Sequence, residues 1–113
     1  MLVFSVEGEA RYYETLTTSL TAAAGLTAAY LSPTVDTFAG GGRCKAVLIT
    51  VGTASINVTF NGTTPTVTAG TNFGHTITDG QSILIKGWEN CKNTKLIESV
   101  AASGAVAKVT YMF

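Results

Sequence analysis

The segment INVTFNGTTPT, residues 56–66, contains the clearest fold signal in the chain. Apolar and polar residues alternate from Ile56 to Phe60, which is typical of a half-buried β-strand. Asn61-Gly62 then favours the left-handed backbone of a tight turn, and Pro65 disfavours a central strand directly after it. The segment therefore predicts a strand that ends in a turn and a loop.

Other short apolar or alternating segments repeat this arrangement along the chain. Turn signals at Gly74-His75 and Asp79-Gly80 precede the next apolar run. A helix over Tyr12–Ala24 is also possible, but the β-branched content of that region favours a strand at ARYYETL. The predicted strands are 10–16, 44–51, 55–60, 82–86, 95–99 and 106–113, with a further short strand possible at 66–68. They predict an all-β fold, an antiparallel β-sandwich or jelly-roll-like architecture of about seven or eight short strands.

The chain has 113 residues, a length typical of one domain. Residues 1–43 have mixed periodicity and many small residues, unlike the rest of the chain, and three consecutive glycines lie near their end at 40–42. We expect residues 1–43 to form an N-terminal arm, or peripheral strands, ending in a glycine linker. Residues 44–113 are predicted to form the sandwich core.

The surface of this protein is expected to have unusually few charges. Only 12% of residues are charged and the formal net charge is zero, against about 25% charged residues in ordinary soluble domains. We interpret this deficit as a surface covered by other subunits, although a neutral face rich in Thr and Ser would give the same composition. Because the few Lys and Arg residues are scattered, nucleic acid is not an expected partner. No apolar run approaches the length of a membrane helix, and the first residues do not resemble a secretory signal, so synthesis in a cytoplasm is expected.

No pattern in the sequence predicts catalysis, a metal site or a cofactor site. His75 is the only histidine and is interpreted as a turn residue that packs on a neighbouring strand. Cys44 and Cys91 do not have metal-ligand spacing, and we expect two buried thiols, with a disulfide as the alternative. Trp88 could belong to a sugar-binding platform or could anchor a sandwich edge or subunit interface, and the second interpretation is favoured.

The order of motifs over about residues 44–113 resembles a group of small structural proteins of tailed bacteriophages, encoded among the head and tail genes. Those proteins typically read DGTTPT, then GH, then a strand ending in glycine, then N-x-x-x-[apolar]-I and a closing VTYF. The corresponding segments here are NGTTPT, Gly74-His75, an apolar strand, Gly-x-x-Asn at Gly87–Asn90, the apolar pair Leu96-Ile97, and VTYMF. Asn61 stands where Asp is usual, the stretch 67–73 is longer, and residues 1–43 match only weakly, around Gly25-Leu26-Thr27.

The resemblance implies a non-enzymatic component of a virion with a β-sandwich core. A capsid decoration or cement protein is the first expectation, with the major capsid protein and copies of this chain, in a trimer, as partners on the capsid surface. An arm containing Tyr12, Tyr13 and Leu16 would then reach a neighbouring subunit. A minor tail or neck protein, and a carbohydrate- or receptor-binding module using Trp88 and the loop at 61–78, are the alternatives.

Overall fold

The computed structural model describes residues 8–17, 23–32, 42–71 and 74–113. Within these residues the chain forms eight β-strands and two short helices. In chain order they are β1 Ala10–Leu16, β2 Ala24–Gly25, α1 Ala28–Leu31, β3 Ala46–Gly52, β4 Ile56–Thr59, β5 His75–Ile77, β6 Ser82–Lys86, α2 Trp88–Lys92, β7 Lys95–Glu98 and β8 Val106–Met112.

The strands form two four-stranded antiparallel sheets. The first, called sheet A, has the order β1-β8-β3-β6, and the second, sheet B, has the order β2-β7-β4-β5. The predicted antiparallel sandwich of seven or eight strands is therefore confirmed.

The main hydrophobic core lies between the two sheets. Sheet A contributes alternate residues of β3 and β8, and sheet B contributes Ile56, Val58 and Leu96. Each fully buried side chain of this size contributes about 1.5–3 kcal/mol to folding. The alternation that the sequence shows from Ile56 to Phe60 thus places one face of β4 in the core.

β3 is buried on both of its faces. Val47 and Ile49 enter the main core, while Ala46 and Leu48 on the opposite face form a small second cluster with Met112. This double burial explains the almost continuous apolar sequence of the strand, because neither face needs polar side chains.

The shortest elements were not predicted from the sequence. β2, β5 and both helices have only two to five residues each, so they have too few residues for a periodic signal. The possible strand at 66–68 does not form. Instead, the backbone carbonyl of Thr66 accepts a hydrogen bond from the side chain of Asn57, and Thr68 N donates a single bond to Ser99 O.

Candidate functional site

Residues 10–16 form an edge strand of sheet A and do not extend from the domain as an arm. β1 pairs with β8 from Ala10↔Met112 to Leu16↔Ala107, with a bulge between Ala10 and Tyr12. Tyr12 and Leu16 pack against this chain's own core, whereas Tyr13 points outward and is 72% exposed. Of the three residues assigned to contact a neighbouring subunit, Tyr13 is the exposed one, and the other two are partly buried. Of the glycine linker, residues 40 and 41 lie outside the described residues.

The partly buried carboxylate of Glu14 connects β1 to the rest of the sandwich. Both carboxylate oxygens of Glu14 accept hydrogen bonds from Thr27 Oγ1, at 2.8 and 2.7 Å. The phenol of Tyr111 on β8 also donates to Glu14, and Thr27 N donates to Tyr111 Oη at 3.2 Å. Burial, together with the hydrogen bond to Glu14, raises the pKa of the Tyr111 phenol well above its usual value. The network therefore joins β1, β8 and the residue that precedes α1.

Aromatic rings surround this network. Tyr12 stacks on Tyr30 of α1, with ring centroids 5.0 Å apart, and meets Phe113 edge-on at 5.9 Å. Tyr30 in turn contacts Tyr111 at 5.4 Å. Such pairs contribute about 0.5–1.5 kcal/mol beyond the area they bury. α1 is therefore held over the inner face of β1 and β8.

The sequence analysis did not identify Glu14, Thr27 or Tyr111 as a group. One signal was present: in a strand, Glu14 shares a face with Tyr12 and Leu16, and the structure shows that this face points to the core. A carboxylate on a buried face needs hydrogen-bond donors. Thr27 and Tyr111 could not be identified as those donors, because they lie 13 and 97 residues away in the chain.

Trp88 is the first residue of α2 and is half-buried against the main core. The guanidinium of Arg43 lies 5.2 Å from the centroid of its ring. A sugar platform needs an open aromatic face, and the face toward Arg43 is not open. The arrangement is that of an anchor at the edge of the sandwich, with Glu89 and Lys92 of the same helix paired at 3.2 Å.

The NGTTPT segment begins the long connection between β4 and β5. Asn61 Oδ1 accepts a hydrogen bond from Thr63 N at 3.1 Å, Gly62 has a φ of 86°, and Pro65 is buried. Asn57, which the sequence analysis did not select, holds the later part of the connection. Its amide donates to Thr66 O at 3.0 Å and Thr68 Oγ1 at 3.2 Å.

The remaining turn residues lie at the two ends of β5. Gly74, with a φ of 71°, lies directly against Val58 of β4. His75 is the first residue of β5 instead of a turn residue, and its ring stacks on Phe60 at 5.8 Å. Asp79 and Gly80 form the exposed turn between β5 and β6.

Cys44 and Cys91 are free thiols, and both are completely buried. Cys44 Sγ donates to Ala46 O at 3.0 Å, and Cys91 Sγ donates to Ile85 O at 3.5 Å. The interaction between the two neighbouring thiols lowers the pKa of Cys44 and raises that of Cys91, which burial raises further. The two side chains are therefore neighbours that link α2 to the start of β3.

Within the described ranges, no three His, Cys, Asp or Glu side chains come together as metal ligands would. None of the helices in those ranges has the length and apolar character required to cross a membrane. The described surface residues that stand out are two large apolar side chains, Tyr13 on β1 and Val100 in the loop after β7, at 72% and 62% exposure.

No protein-family model matches this chain, and no curated protein or solved structure is significantly similar to it.

Proposed function

We propose that this protein is a non-enzymatic structural component of a tailed-bacteriophage virion, a capsid decoration protein that bridges and stabilises major capsid subunits. The proposal starts from the resemblance of residues 44–113 to phage structural proteins. The observation that best supports it is that the motifs carrying the resemblance lie at the ends or starts of strands, or within a central one. NGTTPT follows β4, Gly74-His75 opens β5, and VTYMF forms most of β8.

The turn and loop residues near the resembling motifs are held in place by close contacts. The tight approach of Gly74 to β4 and the side-chain bonds of Asn57 hold the β4–β5 connection against sheet B. A rigid domain suits a decoration protein because it loses little conformational entropy when it binds. It also transmits load between the subunits that it contacts.

The composition supports binding through close contact with neighbours. With 12% charged residues and no net charge, the protein has little long-range electrostatic attraction for a partner. Its affinity would come from apolar contact and hydrogen bonds spread over a flat surface, as in other protein–protein interfaces.

The test is reconstitution on phage capsids that lack decoration. Purified protein is mixed with such capsids, and bound copies are counted by quantitative mass spectrometry and located by cryo-electron microscopy. We expect saturable binding at many symmetry-related positions over the shell, and an increase in the temperature at which the capsid ruptures. Bound density confined to one vertex would instead identify a neck or tail protein, and absence of any binding would refute a role in the virion shell.

A further inference from the structure

The outer edge of β1 is the longest sheet edge in the described part of the chain. Each sheet ends in two edge strands: β1 and β6 in sheet A, and β2 and β5 in sheet B. β1 has seven residues, β6 has five, β5 three and β2 two. An edge strand presents backbone N–H and C=O groups that can pair with another chain. Of the four edges, β1 therefore offers the most of these groups.

β1 has two features that can block such an edge, a bulge and the inward-pointing carboxylate of Glu14, but that carboxylate is already hydrogen-bonded to Thr27 and Tyr111. The strand, ARYYETL, contains neither Pro nor Lys, whereas β6 ends in Lys86. Its one bulge lies near its beginning, between Ala10 and Tyr12, and the register to β8 is regular from Tyr12 to Leu16. Arg11, the only basic residue of the strand, pairs with Glu9 at 3.3 Å and lies over the Phe113 ring.

We propose that β1 is the contact between two copies of this chain, paired antiparallel about a two-fold axis at Tyr13. The two sheets A would then form one continuous eight-stranded sheet. In this register Tyr13 faces Tyr13 of the second copy, Arg11 lies opposite Thr15, and Tyr12 lies opposite Glu14. A self-complementary contact of this kind is the commonest symmetry among homo-oligomers.

The side chains of β1 select this register. An axis at Glu14 would place two carboxylates directly opposite each other, and like charges in that position are destabilising. An axis at Tyr12 would instead pair two rings that already pack against this chain's own core. The axis at Tyr13 places two outward aromatic side chains face to face and covers a ring that is 72% exposed in the single chain.

This inference depends on the proposed function only for the idea that copies of the chain are partners, and it requires no capsid. It also replaces the three-fold association expected from the sequence with a two-fold one. A failure of capsid binding leaves the dimer intact, and a failure of the dimer leaves capsid binding by single chains intact. The two ideas are therefore tested separately.

The first measurement is the molar mass of the purified full chain by sedimentation equilibrium over a range of concentrations. We expect a monomer–dimer equilibrium for the wild type, and a dissociation constant raised about tenfold or more by Tyr13→Lys. Val100→Lys is the matched control, because it changes the other exposed large apolar residue and should leave the dimer unchanged. Circular dichroism checks that each variant is folded. A monomeric wild type, a trimer, or an equal effect of the two substitutions would overturn the proposal.

The second measurement tests the register. Cβ atoms directly opposite each other in an antiparallel pair are about 4.5–5.5 Å apart, so Tyr13→Cys should be joined to its counterpart by a short bismaleimide. The wild type controls for Cys44 and Cys91, which are fully buried, and Val100→Cys controls for random collision. We expect a covalent dimer for Tyr13→Cys alone. A wild-type dimer in which Tyr13→Cys cross-links no faster than Val100→Cys would contradict pairing at this axis.

Discussion

Gly74 lies so close to the neighbouring strand that no side chain fits at this position. A Cβ atom here would overlap Val58 O and approach Thr59 Cγ2 to 2.7 Å, and the φ of 71° is itself unfavourable for other residues. Gly80 has a similar φ of 85°, but nothing lies within 4 Å of its Cβ position. Substitution of Gly80 therefore measures the cost of the positive φ alone, whereas substitution of Gly74 adds the cost of steric overlap with β4.

We expect Gly74→Ala to lower the free energy of unfolding by about 2–4 kcal/mol, and Gly80→Ala by only about 1–2 kcal/mol. The difference would come from the overlap with β4, which only the first variant has to relieve. Urea denaturation of the two variants measures both values. Equal losses would show that β4 and Gly74 are not in close contact in solution.

Tyr111 makes stability dependent on alkaline pH. Its pKa is raised in the folded state, while a tyrosine in an unfolded chain titrates near ~10. The unfolded chain therefore releases this proton first, and the stabilisation is complete below about pH 10 and is lost as the pH rises further toward the folded-state pKa. Tyr111→Phe should lower the free energy of unfolding by about 1–2 kcal/mol at neutral pH, because Glu14 loses a donor.

The same substitution should also make the decline above about pH 10 less steep, by up to about 1.4 kcal/mol per pH unit. Urea titrations of both proteins at several pH values provide the comparison, and contributions from the two cysteines cancel because both proteins contain them. Tyr13→Phe, at an exposed position, is the control and should leave the decline unchanged. If Tyr111→Phe also leaves the decline in stability at alkaline pH unchanged, the Tyr111 phenol is not buried as described.

At the scale of elements, Asn57 connects β4 to the loop that crosses the outer face of sheet B. Besides its bonds to Thr66 and Thr68, its Oδ1 accepts a hydrogen bond from Thr76 Oγ1 at 2.8 Å. Asn57→Leu should therefore cost about 1–3 kcal/mol, since three hydrogen bonds of a fully buried side chain are lost.

Loosening of the loop should also make residues 61–71 a site of rapid cleavage in limited proteolysis. The control is Asn61→Asp, which keeps the acceptor for Thr63 N and should change stability by less than about 0.5 kcal/mol. Asn57→Leu protein with wild-type resistance to proteolysis would show that the loop is held by other contacts.

Long strands were predictable from sequence and the pairing of short elements was not. The predicted bounds of β1 and β6 match those observed, because each combines a run of strand-forming residues with clear turn signals at one or both ends. β5 was not predicted because its three residues are held in a strand by pairing with β4. In addition, His75 was interpreted as part of the preceding turn. α2 was not predicted because it is also very short. Glu89 in its first turn and Lys92 in its last turn are nevertheless the charges that stabilise a helix dipole.

The candidate interaction site was predictable only in part. Tyr12, Tyr13 and Leu16 were all assigned to contact a neighbouring subunit, because pattern alone could not show that the strand pairs with β8 and turns Tyr13 outward. That pairing joins residues almost a full chain length apart, and periodicity carries no information about partners at such separation. The contacts of Glu14 were missed for the same reason.

The whole molecule presents a weakly charged surface to any partner, with seven basic and seven acidic residues in 113. If the proposed decoration role is correct, capsid binding should depend little on salt, because screening removes only electrostatic attraction. We expect the affinity to change by less than about threefold between roughly 50 and 500 mM NaCl. Binding measured by co-sedimentation at several salt concentrations tests this, and a tenfold or greater weakening would indicate that ion pairs dominate the interface.

The position of β8 has a consequence for biosynthesis. This strand lies between β1 and β3, yet it is the last of the described strands to be made. During translation β1 and β3 therefore emerge from the ribosome without the neighbour that joins them, and sheet A can close only after residue 112 has left the exit tunnel. Closure of sheet A is expected to be slow because it pairs strands that are distant in the chain, and until then the open strands would be available to chaperones.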